Sequence, residues 1–310
     1  MPPRRRSLAA ALVVSAGLLA TACSAGSAST DAPGGQVVAA VGAENEYANV
    51  IGQIGGKYVR VTAIESNPST DPHTFEASPS VAQEVAAAQL VVQNGIGYDT
   101  YMNKIEAAAP SSTRKVIVVQ QLLHLPDSTP NPHLWYSPGT MPVVARAIAK
   151  GLSGIQPAHG AYFAANLRRF DASLQPWLQA LARFKAAYPG TPVAVTEPVG
   201  DYLLQAAGAK ILTPYTFQAD VMNGVDPSPQ DVSLQDGLFS GHRVKVFLYN
   251  QQVTDSLTQS FLSQASKDGI PVVGVYETMP TPGYDYQSWM LAETRALQQA
   301  VTSKISTQKL

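Results

Sequence analysis

Short apolar runs rich in β-branched residues recur along the first half of the chain: "VVAAVGA" (37–43), "YVRVTAI" (58–64), "LVVQN" (90–94) and "KVIVV" (115–119). Between them lie segments of helical character such as "SPSVAQEVAAA" (78–88), where Ser78 is placed to cap a helix and Pro79 to open it. The same rhythm returns with "PVAVTE" (192–197), "AKIL" (209–212), "VKVFLYN" (244–250) and "PVVGVYE" (271–277). Continuous apolar strands alternating with helices are the pattern of a parallel sheet covered on both faces. The fold class this predicts is α/β, with two parallel-sheet lobes.

Between the halves the period changes. From Pro157 to Tyr188 no strand pattern occurs, and Phe163, Leu167, Phe170, Leu174, Trp177, Leu181, Phe184 and Tyr188 recur at steps of three and four, a helical stripe. A continuous helix of that length reaches about 45 Å, the width of a domain. Pro176 lies inside it, removes one backbone hydrogen bond and should kink it. A two-helix hairpin is the alternative, but "LQPWLQ" has neither the glycine nor the polar cluster of a turn. The stretch "TPYTFQADVMNGVDPSPQD" (213–231) reads as a loop before a helix. The expected division is a first lobe over 37–156, a linking helix over 157–189 and a second lobe over 190–310.

The amino terminus sets the compartment. "MPPRRRS" is basic, and Leu8 to Ala22 is an apolar run ending in small residues before Cys23. It is shorter than the roughly twenty residues a membrane span needs, so residues 1–22 read as a cleaved export signal. "LLATAC" resembles a bacterial lipobox, with Ala20 where Leu is more usual, which makes Cys23 the lipidated residue; an ordinary signal with an incidental cysteine is the alternative. Cys23 is the sole cysteine, so no internal disulfide can form. Residues 23–36 are small and polar, a flexible tether. The expectation is a monomer on the extracytoplasmic face of the cell membrane, anchored by lipid. A net charge of −1 with 14% charged residues excludes a basic nucleic-acid footprint.

Ligands of open parallel sheets bind beyond the carboxyl ends of the strands. His73 follows "YVRVTAI" and His133 follows "KVIVV", each directly after a proline, while Glu197 and Glu277 end "PVAVTE" and "PVVGVYE". The preceding proline limits how far each histidine backbone wanders. Two neutral imidazoles and two carboxylates cancel the charge of a divalent cation and suit a metal cleft between the lobes. His124 is near the cleft in sequence and is an alternative to His133, but it lacks the proline; His159 and His242 read as structural. Glu76 and Asn131 are candidates to hold an imidazole nitrogen from behind, Glu76 equally a carboxylate at a helix start; Trp135 reads as packing.

"DPHTFEASPS" (71–80) resembles the "DPHxYEPTPSD" pattern, and "NPHLWYSP" (131–138) the "NPHxWLDP" pattern, of the cluster A-I metal-binding lipoproteins of bacterial ABC importers, the zinc and manganese solute-binding proteins. The resemblance runs through the mature chain and implies two α/β lobes linked by one long helix. It also implies His73, His133, Glu197 and Glu277 as metal ligands, and a membrane permease as partner. The metal, Mn or Zn with Fe as a further option, is then cargo, and no organic cofactor is expected. The chain departs from the pattern at three places. The fourth ligand is usually aspartate, which leaves Asp285 beside Glu277. Ser137 replaces an aspartate, so a partner for an imidazole is expected to be missing. Glu197 stands where zinc-type members carry a third histidine, and the segment 121–133 is not histidine-rich; both lean toward manganese or a broader specificity.

Two rival readings have different chemistry. An exported zinc-dependent hydrolase would use three ligands and a water, with one of the four residues as base, but the chain contains no HExxH, GxSxG or Gly-rich phosphate loop. A binder of metal chelates or other small solutes would want a roomy aromatic cleft, for which "VYETMPTPGYDYQSW" (275–289) is the material.

Overall fold

Each apolar run forms a strand. The computed structural model describes residues 37–310; the predicted export signal, the lipidation site Cys23 and the tether over 23–36 lie outside the described residues. The strands are β1 (Val38–Glu44), β2 (Val59–Glu65), β3 (Leu90–Gln93), β4 (Lys115–Val118), β5 (Pro192–Val195), β6 (Lys210–Ile211), β7 (Val246–Asn250) and β8 (Val272–Val275). They make two four-stranded sheets of the same connectivity, β2-β1-β3-β4 and β6-β5-β7-β8. All pairings are parallel, with Val41 opposite Thr62 and Val92 opposite Ile117 in the first sheet, and Leu248 opposite Val195 and Val273 in the second. The inner strands β3 and β7 are buried along their whole length, as sheets covered on both faces require. In each sheet the order reverses between the first and third strands, so both crevices open at the carboxyl ends where the candidate ligands lie.

The helical stripe forms as a helix with a break at Leu174. A short 3-10 turn, Pro157–His159, leads into the helix Gly160–Ser173, and a second helix covers Gln175–Ala187. Leu174 keeps right-handed helical angles (φ −74°, ψ −18°), its N–H donates to Phe170 O and its O accepts from Leu178 N. The chain therefore bends without reversing. Pro176 is the cause, since it has no N–H for Ala172 O. Phe163, Phe170, Leu174, Trp177, Leu181 and Phe184 are all buried. The first half packs on the helix Asn45–Gly55 and the helix Thr140–Ile155, the second on the helix Tyr286–Ser303.

One hydrophobic cluster runs without interruption from Val38 and Ile51 through Trp135, Phe170 and Trp177 to Val195, Val273 and Trp289. Polar pairs stitch the same seam. Asn45 exchanges two hydrogen bonds with the backbone of Met279 (2.8 and 2.9 Å), and Tyr286 donates to Trp135 O (2.6 Å). Tyr136 donates to Tyr276 O at 2.7 Å.

The segment 213–231 departs from the expected loop. It contains the helix Tyr215–Met222, which buries Phe217 and Val221, four residues apart, in the outer core of the second sheet. Gln218 ties back to Thr213 O at 3.1 Å. Flanking proline and glycine masked a single apolar pair that tertiary burial was enough to make helical. The helix Pro79–Ala87 begins as expected, with Ser78 accepting from Val81 N.

Candidate metal centre

The two Pro-His segments are built by the same device. Asp71 Oδ1 accepts the His73 N–H at 2.8 Å, and Asn131 Oδ1 accepts the His133 N–H at 3.0 Å. In each case a side-chain oxygen closes a turn over the intervening proline. Each turn sits beside a single 3-10 turn, Pro72–Thr74 in one and Leu134–Tyr136 in the other. Both imidazoles are thus carried on short, locally braced loops, one past β2 and one past β4. Glu197 and Glu277 each lie two residues beyond the end of a second-lobe strand, β5 and β8.

The loops converge on one carboxylate oxygen. Glu277 Oε2 lies 3.1 Å from His133 Nε2 and 3.2 Å from His73 Nε2, and it accepts a hydrogen bond from Tyr98 Oη at 3.0 Å. Its other oxygen accepts from Asn250 Nδ2 at 2.6 Å, and its backbone N–H donates to Gln252 Oε1 at 2.6 Å. Among the described residues, His73, His133 and Glu277 form the one group of three metal-capable side chains whose ligand atoms all lie within 4.8 Å of one another. His133 and Glu277 are buried, whereas the His73 side chain is 26% exposed, so the centre meets solvent on the His73 side.

The hydrogen bonds fix the His133 tautomer. Asn131 Oδ1 faces both His133 N and His133 Nδ1 (2.8 Å), while Asn131 Nδ2 donates to Pro198 O at 2.7 Å. The amide orientation follows from these three contacts, so Nδ1 carries the hydrogen and Nε2 presents a lone pair. That lone pair points at a carboxylate oxygen only 3.1 Å away. Two acceptors at that distance repel unless a proton or a cation lies between them.

The charges follow from burial and pairing. Burial opposes ionisation of Glu277, but its pairing with the imidazoles of His133 and His73 outweighs it and holds its pKa well below the usual carboxylate range. Burial lowers the His133 pKa, only partly offset by Glu277, so this imidazole stays neutral near pH 7. Burial also acts to lower His73, but its hydrogen bond to Glu277 and the nearby negative charge raise it overall. Glu197 is 2% exposed, and neither of its oxygens has a hydrogen bond of ordinary geometry, although the Asn250 amide lies close enough to ease its ionisation. Burial, then the charge of Glu277, raises its pKa well above normal.

Of the four candidates, then, three converge and Glu197 stands beside them, outside the tight group, with a carboxyl that burial and the charge of Glu277 make harder to ionise. Asp285 is committed elsewhere: it caps the helix Tyr286–Ser303, accepting from Ser288 N at 2.9 Å in a capping box. His124 sits in a left-handed turn conformation (φ +56°) away from the group, His159 stacks on Tyr58, and His242 lies in a turn after Phe239. The partner expected to be missing at Ser137 is supplied by Asn131. Glu76 is exposed and precedes the helix capped by Ser78. Trp135 is fully buried with its ring edge-on to His133.

Several site residues carried no motif. Tyr98 reaches Glu277 from a loop whose Gly95 is left-handed, where a Cβ would stand 2.7 Å from Gln120 Oε1. Glu44 and Glu65 end β1 and β2 as register neighbours, and both are buried, as are Glu46 and Asp99. The strand-end criterion that selects Glu197 and Glu277 applies equally to Glu44 and Glu65.

Two parallel-sheet lobes bridged by one kinked helix, with strand ends from both meeting at a buried seam, define a two-lobed solute-binding protein. The chain belongs to the family described as ZnuA, zinc-uptake complex component A, periplasmic, whose sequence model matches residues 41–300. It is similar to the manganese-binding lipoprotein MntA of Bacillus subtilis (strain 168), 23% identical over 276 residues, covering 86% of this chain and 87% of the relative. It is also similar to PsaA of Streptococcus mitis, a manganese ABC transporter substrate-binding lipoprotein, 24% identical over 169 residues, 51% of this chain and 54% of the relative. The fold matches a crystal structure of ZnuA with a TM-score of 0.69 at 22% identity, over 86% of this chain and all of that one. A Mn-bound point mutant of a periplasmic metal-binding protein from Candidatus Liberibacter asiaticus matches at TM-score 0.68 and 18% identity, over 84% and 98%.

Proposed function

We propose that the protein captures a divalent transition metal, Mn²⁺ or Zn²⁺ with Fe²⁺ as a further candidate, and hands it to the membrane permease of an ABC importer. The ligands on this reading are His73, His133 and Glu277, joined by Glu197 once its proton is released. The observation that carries the proposal is the facing of His133 Nε2 and His73 Nε2 on the single oxygen Glu277 Oε2 at 3.1 and 3.2 Å. For His133 the tautomer leaves a lone pair there and burial disfavours a second proton, so a cation is the natural partner. Nitrogen and carboxylate donors together accept several first-row metals, and in vitro affinity follows the Irving–Williams order whatever the cell loads. The relatives named as manganese-binding lipoproteins of ABC transporters support both the cargo class and the partner. That both are named lipoproteins supports a lipid anchor, which on this reading is carried by Cys23 at the outer face of the membrane after residues 1–22 are removed. The family is one of solute-binding proteins, and the hydrolase alternative gains no support from it.

The test is elemental analysis of the purified protein followed by calorimetric titration with Mn²⁺ and Zn²⁺. One metal per chain is expected, and a protein that takes up neither ion ends the proposal. Asn131 supplies a second expectation. Asn131→Ala removes the acceptor that orients the His133 ring, and a lost partner of this kind costs about 10–100-fold in metal affinity. Titration of a variant with unchanged circular dichroism checks it.

A further inference from the structure

Asn250 ends β7, the strand that lies between β5 and β8 in the second sheet, and so stands between the strands that lead to Glu197 and Glu277. It is fully buried. Its backbone N–H donates to Thr196 Oγ1 and its Oδ1 accepts from Gln252 N, both at 3.0 Å. With Oδ1 used in this way, the NH₂ group is turned toward the metal centre. There Nδ2 donates to Glu277 Oε1 at 2.6 Å, and the same amide flanks Glu197. The backbone that carries Glu277 is pinned as well. Gln252 Oε1 accepts the N–H groups of Glu277 (2.6 Å) and Thr278 (2.8 Å), and Gln252 Nε2 is anchored on Thr70 O (2.7 Å) and Thr278 Oγ1 (3.1 Å).

The two oxygens of Glu277 are thereby given different tasks. Oε2 faces His133 Nε2 and His73 Nε2 at 3.1 and 3.2 Å, while Oε1 is held by a buried amide. To grip a cation with both oxygens, Glu277 would have to swing Oε1 off that amide, and a buried donor left unpaired is costly. Water for a fifth and sixth position would have to come from the His73 side, because His133 and Glu277 are buried. Zinc is satisfied by four ligand atoms in a tetrahedral shell, whereas manganese suits an octahedral, oxygen-rich one. We propose that Asn250 is a positioning residue that sets the metal preference: by holding Oε1 it makes Glu277 a one-oxygen ligand and fits the centre to four-coordinate Zn²⁺ over Mn²⁺. The inference rests on the metal-capture reading. Two imidazole nitrogens and one oxygen from each glutamate then make up the shell. With the amide removed, Oε1 loses its partner, and a cation that accepts both oxygens supplies a new one.

Zinc binds nitrogen and carboxylate donors more tightly than manganese in any case, so the test reads the change in their ratio and the geometry of the shell. Co²⁺ is the probe of geometry, because a tetrahedral field lacks the inversion centre that keeps the visible bands of six-coordinate Co²⁺ weak. The unaltered full-length protein loaded with Co²⁺ should show intense four-coordinate bands. In Asn250→Ala, and in Asn250→Leu of near-equal volume, those bands should weaken. The ratio of Zn²⁺ to Mn²⁺ affinity, from calorimetric titration against a competing chelator, should narrow by about tenfold or more in Asn250→Ala, within the 10–100-fold that an outer partner commands. Equal losses for both ions with an unchanged Co²⁺ spectrum mean that Asn250 only supports the fold, and overturn the inference. Weak six-coordinate bands in the unaltered protein overturn it without any variant. An unaltered protein that takes up none of the three ions ends the capture reading itself; one that binds them with weak bands ends only the role given to Asn250.

Discussion

His133→Ala is expected to weaken binding of Mn²⁺ and Zn²⁺ by about 10³-fold or more, beyond the 10–100-fold that loss of an outer partner costs. The imidazole is fully buried, its tautomer is fixed by Asn131, and its free lone pair points at Glu277 Oε2. Among the described residues no further histidine joins the group. His124 is the other histidine in this part of the chain, and its own truncation should leave affinity unchanged. Calorimetric titration, with circular dichroism to show that the variant is folded, measures the effect. A folded His133→Ala protein that binds metal as tightly as the unaltered chain would remove this imidazole from the site.

Much of this arrangement was readable because it is local. Apolar runs bounded by turns report sheets directly, and each of the eight strands coincides, to within two residues at either end, with the run that suggested it. The Asp-Pro-His and Asn-Pro-His segments encode their own turns, since the side-chain oxygen, the proline and the histidine N–H lie within three consecutive residues. What remained hidden depends on distant parts of the chain. Tyr98 meets Glu277 across 179 positions of sequence, and nothing in "GIGYD" (95–99) announces it. The helix Tyr215–Met222 exists because Phe217 and Val221 find an outer core built by Phe239 and Phe261, a partner invisible from the segment itself. Position at the strand end pointed to Glu277 while residue type kept Asp285 open; the capping box of the last helix commits Asp285 elsewhere. The bend at Leu174 could be read from Pro176, but its angle is set by what the two halves pack against, one on the first lobe and one on the last helix.

Metal affinity is expected to rise with pH by about one to two decades per pH unit between about pH 5.5 and 7.5, with protons released on binding. The sign follows from which groups carry protons in the metal-free protein. Glu277 is already ionised and contributes none. His133 is neutral, because burial lowers its pKa, and contributes none near neutrality. His73 is the reverse case: burial acts to lower its pKa but Glu277 raises it overall, so the proton it takes up toward acid pH is held more tightly and must leave before Nε2 can coordinate. Glu197 holds another, because burial and the charge of Glu277 keep it protonated. A cation arriving between the two carboxylates cancels the repulsion that held that proton, and Glu197 then ionises and closes the shell from the second lobe. Titration in buffers of different ionisation enthalpy counts the released protons, and Glu197→Gln should reduce the count by about one while weakening binding. An unchanged count would mean that Glu197 stays protonated and outside the shell, with the cation held by His73, His133, Glu277 and water. A count of zero in the unaltered protein would mean that neither His73 nor Glu197 gives up a proton, and the metal would have to bind elsewhere.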